Sequence, residues 1–113
     1  PLPIKEGDKL YIVTRADIDP GYQIAQSCHA IRQFTADHPE IDQEWFQNSN
    51  YVACLSVPTE KDLEALLLRA QDRGIPCSSF REPDIDDQLT AIALAPGEAS
   101  KRICSSCRLA LRS

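Results

Sequence analysis

Apolar and polar stretches alternate along the chain in a way that predicts strands and helices in turn. Residues 10–14 form a continuous apolar, β-rich run, which is typical of a strand covered on both faces. Helical spacing then extends from residue 21 to about residue 37. One side of this helix carries Ile24, Cys28, Ile31 and Thr35, flanked by Ser27 and Phe34, and nearly opposite lie Tyr22, Gln26, His29 and Gln33.

The middle of the chain contains clear helix boundaries. A short helix is predicted after Pro39, and it ends at the break formed by residues 48–50. Residues 51–57 follow as a second strand. Thr59 is placed to cap the next helix, with Asp62 three residues on. Gly74 supplies a left-handed cap at its end, before Pro76 stops the helix.

Two more strands, over residues 77–81 and 90–95, and a final helix from residue 98 to about 107 complete the pattern. The element order β-α-α-β-α-β-β-α predicts an α/β fold, a three-layer α/β/α domain spanning residues 1–113. Its four-stranded sheet should be largely parallel, with right-handed crossovers. A hairpin between the third and fourth strands makes the sheet mixed.

Composition narrows the class of protein. The 113 residues are 42% hydrophobic and 26% charged, as in ordinary globular domains. No apolar run approaches the ~20 residues that span a bilayer, so we expect no membrane association. Five cysteines without regular spacing indicate reduced thiols and a cytoplasmic location.

The charge is unevenly distributed. Residues 101–113 carry four basic and no acidic residues, within a chain whose formal net charge is −5. Nucleic-acid binders usually present such a basic patch, because phosphate neutralisation dominates their affinity. A helix with solvated basic residues explains the same tail without any ligand, and both interpretations stay open.

The segment that follows the first strand resembles the archaeal and eukaryotic type of peptidyl-tRNA hydrolase. That family has a Gly-Lys-x-Ala-Ala-Gln-Cys-Ser-His-Ala-like sequence there, and the residues that match it in register are Gly21, Ala25, Gln26, His29 and Ala30. Tyr22 replaces the family's lysine. The element order agrees with the family along nearly the whole chain.

Two further segments are similar to the family. Residues 59–66 resemble its Asp-Glu-Glu-x-Leu-x-x-Leu helix. Residues 79–84 and 90–96 resemble its acidic turn and last strand, so that Glu82 takes the position of the acidic residue and Thr90 that of the strand's first threonine. The family's Thr-Gln-x-Ala-Pro-Gly loop is shortened here and replaced by residues 85–89.

The resemblance implies an esterase that cleaves the bond between a peptide and the terminal ribose of tRNA through an activated water. Glu82 is the acid–base candidate, and it would be a better base at neutral pH if burial beside Pro83 and Phe80 raised its pKa. His29 is a base or orients Glu82. Gln26 is a donor for the oxyanion, and Thr90 hydrogen-bonds substrate.

The side chains and N–H groups expected to bind substrate are Gly21, Tyr22, Gln23, Arg15, Lys101 and Arg102. The helix start around Tyr22 and Gln23 offers free N–H groups to an anion. Tyr22 can stack on a base of the single-stranded 3′ end. Arg15, Lys101 and Arg102 can contact phosphates.

Other interpretations remain. The acidic residues 84–87 and the shortened loop favour a non-catalytic binding module on the same fold, which recognises a protein or a small ligand. Cys104 and Cys107 would supply only half of the ligands of a zinc site, and no second pair has ligand spacing. The pair also does not open a helix after a strand, as redox pairs do. A packing role is therefore favoured. We expect no cofactor and no metal. A homodimer is also possible, and the helix that carries Trp45 would then provide the contact between the two copies.

Overall fold

The computed structural model describes residues 2–112 and contains one five-stranded mixed sheet. Its strands are β1 (Lys9–Arg15), β2 (Tyr51–Val57), β3 (Cys77–Glu82), β4 (Gln88–Leu94) and β5 (Arg108–Leu109), in the spatial order β3-β4-β1-β2-β5. Strands β1, β2 and β3 run in one direction, and β4 and β5 run in the other. The ends of β1, β2 and β3 therefore meet the start of β4 at the same edge of the sheet.

The strand number and direction differ from expectation. The sheet has five strands rather than four, because the final helix ends at Ile103 instead of near Cys107. The chain then turns back, and Leu109 pairs with Leu55 as β5. The sheet is also not largely parallel: only β1 and β2 pair in parallel among the described strands, because β4 inserts between β1 and β3.

The helices begin and end where local chemistry places their boundaries. They are α1 (Pro20–Asp37), α2 (Pro39–Asn48), α3 (Glu60–Asp72) and α4 (Glu98–Ile103). Thr59 caps α3, and its Oγ1 accepts a hydrogen bond from the Asp62 N–H at 3.3 Å. Gly74 takes a left-handed φ of +67° just after α3, which confirms the predicted cap.

The helices cover both faces of the sheet. Helix α1 packs on β1, β3 and β4, and Ile12 lies on that face. The neighbouring residue Tyr11 points to the opposite face, as alternation along a strand requires. There its hydroxyl lies near Cys104 and Glu98, at the two ends of α4, while α3 packs beside α4. The three-layer α/β/α arrangement is thus confirmed.

Helix α1 buries a different side from the one that its apolar residues suggest. Its buried residues are Gln23, Gln26, Ala30 and Phe34, whereas Ile24 is 55% exposed. Both amide atoms of Gln26 and the Nε2 of Gln23 find hydrogen-bond partners inside the protein, which offsets most of the cost of burying these side chains. Partnered polar groups therefore form part of the surface on which α1 meets the sheet.

Trp45 does not lie on a free surface of α2. Its side chain is buried, and its Nε1 donates to the Tyr51 carbonyl oxygen at 2.8 Å. Trp45 therefore anchors α2 to the start of β2 and offers no contact itself, while a dimer contact through the rest of this helix stays a prediction. Within residues 2–112, none of the helices combines the length and apolar character that a bilayer crossing requires.

Candidate active site

Side chains from α1, β3 and β4 meet at the edge where β3 ends. Gln26 extends from α1, and its Nε2 donates to Glu82 Oε1 at 2.9 Å. Gln26 Oε1 accepts from Thr90 Oγ1 at 2.7 Å. Because one end of the amide donates and the other accepts, these two partners fix its orientation. The structure thus brings together three of the four catalytic candidates in one hydrogen-bonded chain.

This chain of hydrogen bonds is buried at one end and open at the other. Thr90 and Gln26 are 0% and 1% exposed, whereas Glu82 is half-buried. Burial leaves almost no surface of Gln26 and Thr90 open to a ligand, and their expected roles as oxyanion donor and substrate ligand stay predictions. Gln26 holds the Glu82 carboxylate, and Thr90 holds Gln26.

The Glu82 carboxylate is surrounded by donors. Besides Gln26, the Asp84 N–H donates to its Oε2 at 3.1 Å, and the Tyr22 hydroxyl lies near it. The Gln26 bond above all, then the Asp84 N–H and the nearby His29, lower the pKa of Glu82. The expectation of a raised pKa is wrong in direction, because these donors outweigh partial burial. Glu82 is held ionised, and it is therefore a weak base.

His29 is exposed one turn beyond Gln26. Its ring stacks on Phe80, with centroids 4.4 Å apart and an interplanar angle of 17°. Phe80 comes two residues before Glu82 in β3, so both side chains lie on the same face of the sheet. That period-2 spacing is the signal in the sequence that could have identified Phe80 as part of the site. The stack holds an open imidazole beside an ionised carboxylate.

The first turn of α1 completes this site. Tyr22 is half-buried, and partial burial together with the charges of Glu82 and Asp84 raises the pKa of its hydroxyl. Gly21 is exposed, and no atom lies within 4 Å of the position that a Cβ would take. Packing within the chain therefore does not require a glycine there. The Gln23 N–H, expected to be free, donates to the Asp19 carbonyl oxygen at 2.9 Å, which leaves the N–H groups of Gly21 and Tyr22 for a ligand.

Gln23 has one satisfied and one unsatisfied amide atom. Its Nε2 donates to the Ile18 carbonyl oxygen at 2.7 Å, while its Oε1 is buried without a hydrogen-bond partner. An unpaired buried acceptor is uncommon in proteins and needs a reason. The side chain lines a cleft of about 350 Å³ that Arg108 and Arg112 also line.

Arg15 is engaged within the protein. Its side chain is buried and forms a two-bond pair with Asp17, at 2.8 and 2.9 Å. Its Nη1 donates to Gln88 Oε1 at 2.7 Å, which ties the end of β1 to the start of β4. The guanidinium holds the pKa of Asp17 below its usual range. A phosphate contact by Arg15 stays a prediction, and it would compete with these bonds.

Lys101 and Arg102 are not brought to Glu82. They lie on α4, which covers the face of the sheet opposite to α1. Arg108 and Arg112 approach the end of β1 instead, beside Gln23 and Pro20. The sequence showed the basic tail, but the interpretation of its first part as one long helix hid the return of β5 to this edge.

Comparison with known proteins shows which protein family the chain belongs to. The model of the family Peptidyl-tRNA hydrolase PTH2 matches residues 8–106 of the chain. The chain belongs to this family. It is also 29% identical over 103 residues to a curated peptidyl-tRNA hydrolase of Methanocaldococcus jannaschii, which covers 82% of this chain and 90% of that protein.

Membership in the PTH2 family confirms the resemblance and places the chain among hydrolases. The residues matched to the family include α1, Glu82 and Thr90, while Cys107 and β5 follow them. A solved structure of a protein of unknown function from Agrobacterium tumefaciens strain C58 superposes with a TM-score of 0.66 at 15% identity. It covers 89% of this chain and 96% of its own, and that likeness concerns the fold alone.

Proposed function

We propose that this PTH2-family protein hydrolyses the ester that joins a peptide, or an N-blocked amino acid, to the terminal ribose of tRNA. The observation that carries the proposal is the buried chain from Thr90 through Gln26 to Glu82. It fixes an ionised carboxylate beside an exposed histidine ring. Preorganised charge of this kind is the usual requirement for stabilising a transition state.

The chemistry assigns different roles to the two exposed groups. Glu82 accepts a hydrogen bond from the attacking water and orients it, and its negative charge faces the positive charge that develops as the proton moves. His29 takes the proton as the water oxygen bonds to the ester carbonyl carbon. The same proton passes to the ribose oxygen when its bond to that carbon breaks. Gln26 and Thr90 act through Glu82 and do not contact the reacting atoms.

Substrate recognition is proposed around the first turn of α1. Tyr22 offers a ring for a terminal base, and the free N–H groups at Gly21 and Tyr22 suit an anionic oxygen. Gln23 lines the cleft beside this turn, but its Oε1 is buried and is not offered to a ligand. Arg108 beside it has a side chain that suits a backbone phosphate.

The charged residues around Glu82 determine the side from which the tRNA acceptor strand is proposed to approach. Residues 84–87 include three aspartates, which repel a phosphate backbone from the Glu82 side. The tail offers Arg108 and Arg112 on the other side of α1's first turn. The acceptor strand is therefore proposed to run along β5, with only its 3′ end reaching Glu82.

The test is hydrolysis of a purified N-blocked aminoacyl-tRNA at low salt. We expect His29→Ala to lower kcat by about 10²-fold or more because it removes the proton-transfer group. Glu82→Gln should lower kcat by about 10²-fold because it removes the fixed negative charge. Asp87→Asn is the matched control, because it removes the same charge from the neighbouring exposed turn. It should retain turnover.

Two outcomes would overturn the proposal. Equal loss of turnover in Asp87→Asn and Glu82→Gln would show that local charge matters and that the Glu82 position does not. A folded wild-type chain without turnover would favour the alternative, a non-catalytic binding module on this fold. Circular dichroism of each variant checks that the loss is not due to unfolding.

The cytoplasmic location and the homodimer stay predictions. For the homodimer, the exposed apolar side chains give a different candidate contact from Trp45. Ile24 and Leu111 border an apolar cleft between α1 and the tail, and both are about half exposed. Association of two copies through this surface would bury them.

A further inference from the structure

Cys104 and Cys107 come together in a tight turn at the end of α4. The Cys107 N–H donates to the Cys104 carbonyl oxygen at 3.0 Å, and this bond closes a four-residue turn. Such turns bring their first and last Cα atoms within about 7 Å, which overlaps the ~4.4–6.8 Å that a disulfide spans. The two sulfurs lie close enough for each thiol to shift the pKa of the other.

The two cysteines have different surroundings. Cys104 is 4% exposed and belongs to the hydrophobic core. Cys107 is half-buried and lines a cleft of about 610 Å³ between α3 and the tail. The Cys107 side chain is therefore accessible to a reagent, and the Cys104 side chain lies deeper, in the core. This is the arrangement of an attacking and a resolving thiol.

Positive charge favours the thiolate of the outer cysteine. Arg69 of α3 lines the same cleft as Cys107. The neighbouring Cys104 thiol, and then the Arg69 charge, lower the pKa of Cys107, while the Cys107 sulfur and burial raise the pKa of Cys104. The nucleophile in disulfide exchange is a thiolate, so Cys107 is the first to react.

We propose that Cys104 and Cys107 form a dithiol site that is oxidised by small disulfides bearing carboxylates. The Cys107 thiolate attacks one sulfur of the disulfide, forms a mixed disulfide and releases one thiolate. The Cys104 thiol loses its proton and attacks the Cys107 sulfur, which releases the second thiolate. The products are the Cys104–Cys107 disulfide and two reduced small thiols, so electrons and atoms balance.

The preference for carboxylates follows from the walls of the cleft. Arg69 and Arg108 line it together with the Ser106 residue that precedes Cys107. Asp62 is the acidic residue among the lining side chains, so the two guanidinium groups leave a positive excess. The cleft lies against α3, on the face opposite to Gln26. The dithiol site therefore lies on the opposite face of the sheet from Glu82, and Arg108 is shared with the proposed path of the acceptor strand.

Sequence alone favoured a packing role for this pair. The C-x-x-C spacing at a helix end lacks the strand-then-helix context of redox pairs, and Cys104 does pack in the core. The turn and the cleft at Cys107 depend on the return of the chain as β5, which the sequence did not reveal. Within residues 2–112, no three His, Cys, Asp or Glu side chains group as metal ligands.

The test exposes the reduced full chain to glutathione disulfide, then alkylates the remaining thiols and maps them by mass spectrometry. We expect residues 104 and 107 to lose two hydrogens and both alkylation sites before Cys28 or Cys54 reacts. Cys104→Ala should stop at a mixed disulfide on Cys107. Cys107→Ala should leave Cys104 reduced.

Arg69→Gln provides a test that does not alter the core, since Arg69 is exposed. It should slow oxidation by glutathione disulfide several-fold more than oxidation by cystamine, whose amines are positive. Equal slowing of both probes would overturn the preference for carboxylates. Faster reaction of the exposed Cys28 or Cys54, or a stable mixed disulfide on wild-type Cys107, would overturn the dithiol site itself.

Discussion

The hydroxyl of Thr90 is expected to make a large contribution to the free energy of unfolding. It donates to Gln26 Oε1 at 2.7 Å, inside a part of the protein where both residues are almost fully buried. Thr90→Val replaces the hydroxyl by a methyl group of similar volume. The substitution leaves no cavity, but it deprives the Gln26 oxygen of its donor.

The expected cost follows from the desolvation of that oxygen. A buried acceptor left without a partner costs about 1–3 kcal/mol in the free energy of unfolding. For a chain of this length, each kcal/mol lowers Tm by about 4 °C. Urea unfolding followed by Trp45 fluorescence measures the free energy, and a thermal scan measures Tm. Thr35→Val is the control, because its hydroxyl lies on an exposed turn of α1.

A double-mutant cycle gives the sharper result. Gln26→Leu alone removes the nearer acceptor of the Thr90 hydroxyl and leaves it the Phe80 carbonyl oxygen at 3.2 Å. Gln26→Leu with Thr90→Val removes both polar groups together. Because replacement of both partners is far less costly than removal of one, the double variant should lose less than the sum of the single losses. Additive losses, or a Thr90→Val variant as stable as Thr35→Val, would refute the reasoning.

Two further predictions concern stability. Arg15 lowers the pKa of Asp17 in the folded chain, so the stability that this pair adds is present above the unfolded pKa near ~3.9 and is lost as pH falls through the lower folded value. The urea midpoint of wild type should therefore fall more steeply between about pH 5 and pH 2 than that of Asp17→Asn. The control Asp87→Asn should follow wild type. Parallel curves for all three proteins would contradict this prediction. Gly74→Ala should cost about 1 kcal/mol by the same assay, because φ is +67° and only strain is added, whereas Gly21→Ala should be nearly neutral. An equal change in both glycine variants would argue against a strained cap at position 74.

The sequence predicted helix and strand positions well where local chemistry fixes them. The Thr59 cap, the Gly74 left-handed turn and the bounds of β2 follow from residues within a few positions of each other. It failed for β5, whose two residues pair with Leu55 and Ser56 more than fifty positions earlier. No periodicity exists in two residues, so only the folded sheet reveals that pairing.

The candidate site was predicted in its membership and not in its electrostatics. The resemblance to the family identified Gln26, Glu82 and Thr90, which the structure joins by hydrogen bonds. The direction of the Glu82 pKa shift depends on which donors reach its oxygens. Those donors come from α1 and from the turn after β3, so no local sequence pattern could give the sign.

The cleft around Arg108 exists only while the short strand β5 stays paired with β2. Both residues of β5 are exposed, and they pair with β2 alone, whereas β1 and β4 lie inside the sheet with almost every side chain buried. Segments with few buried contacts open locally at a free energy far below that of global unfolding. Amide hydrogens of residues 108–110 should therefore exchange through local opening, while those of β1 exchange with the whole domain. A ligand that needs Arg108 in place holds β5 closed, and part of its binding free energy is spent on doing so.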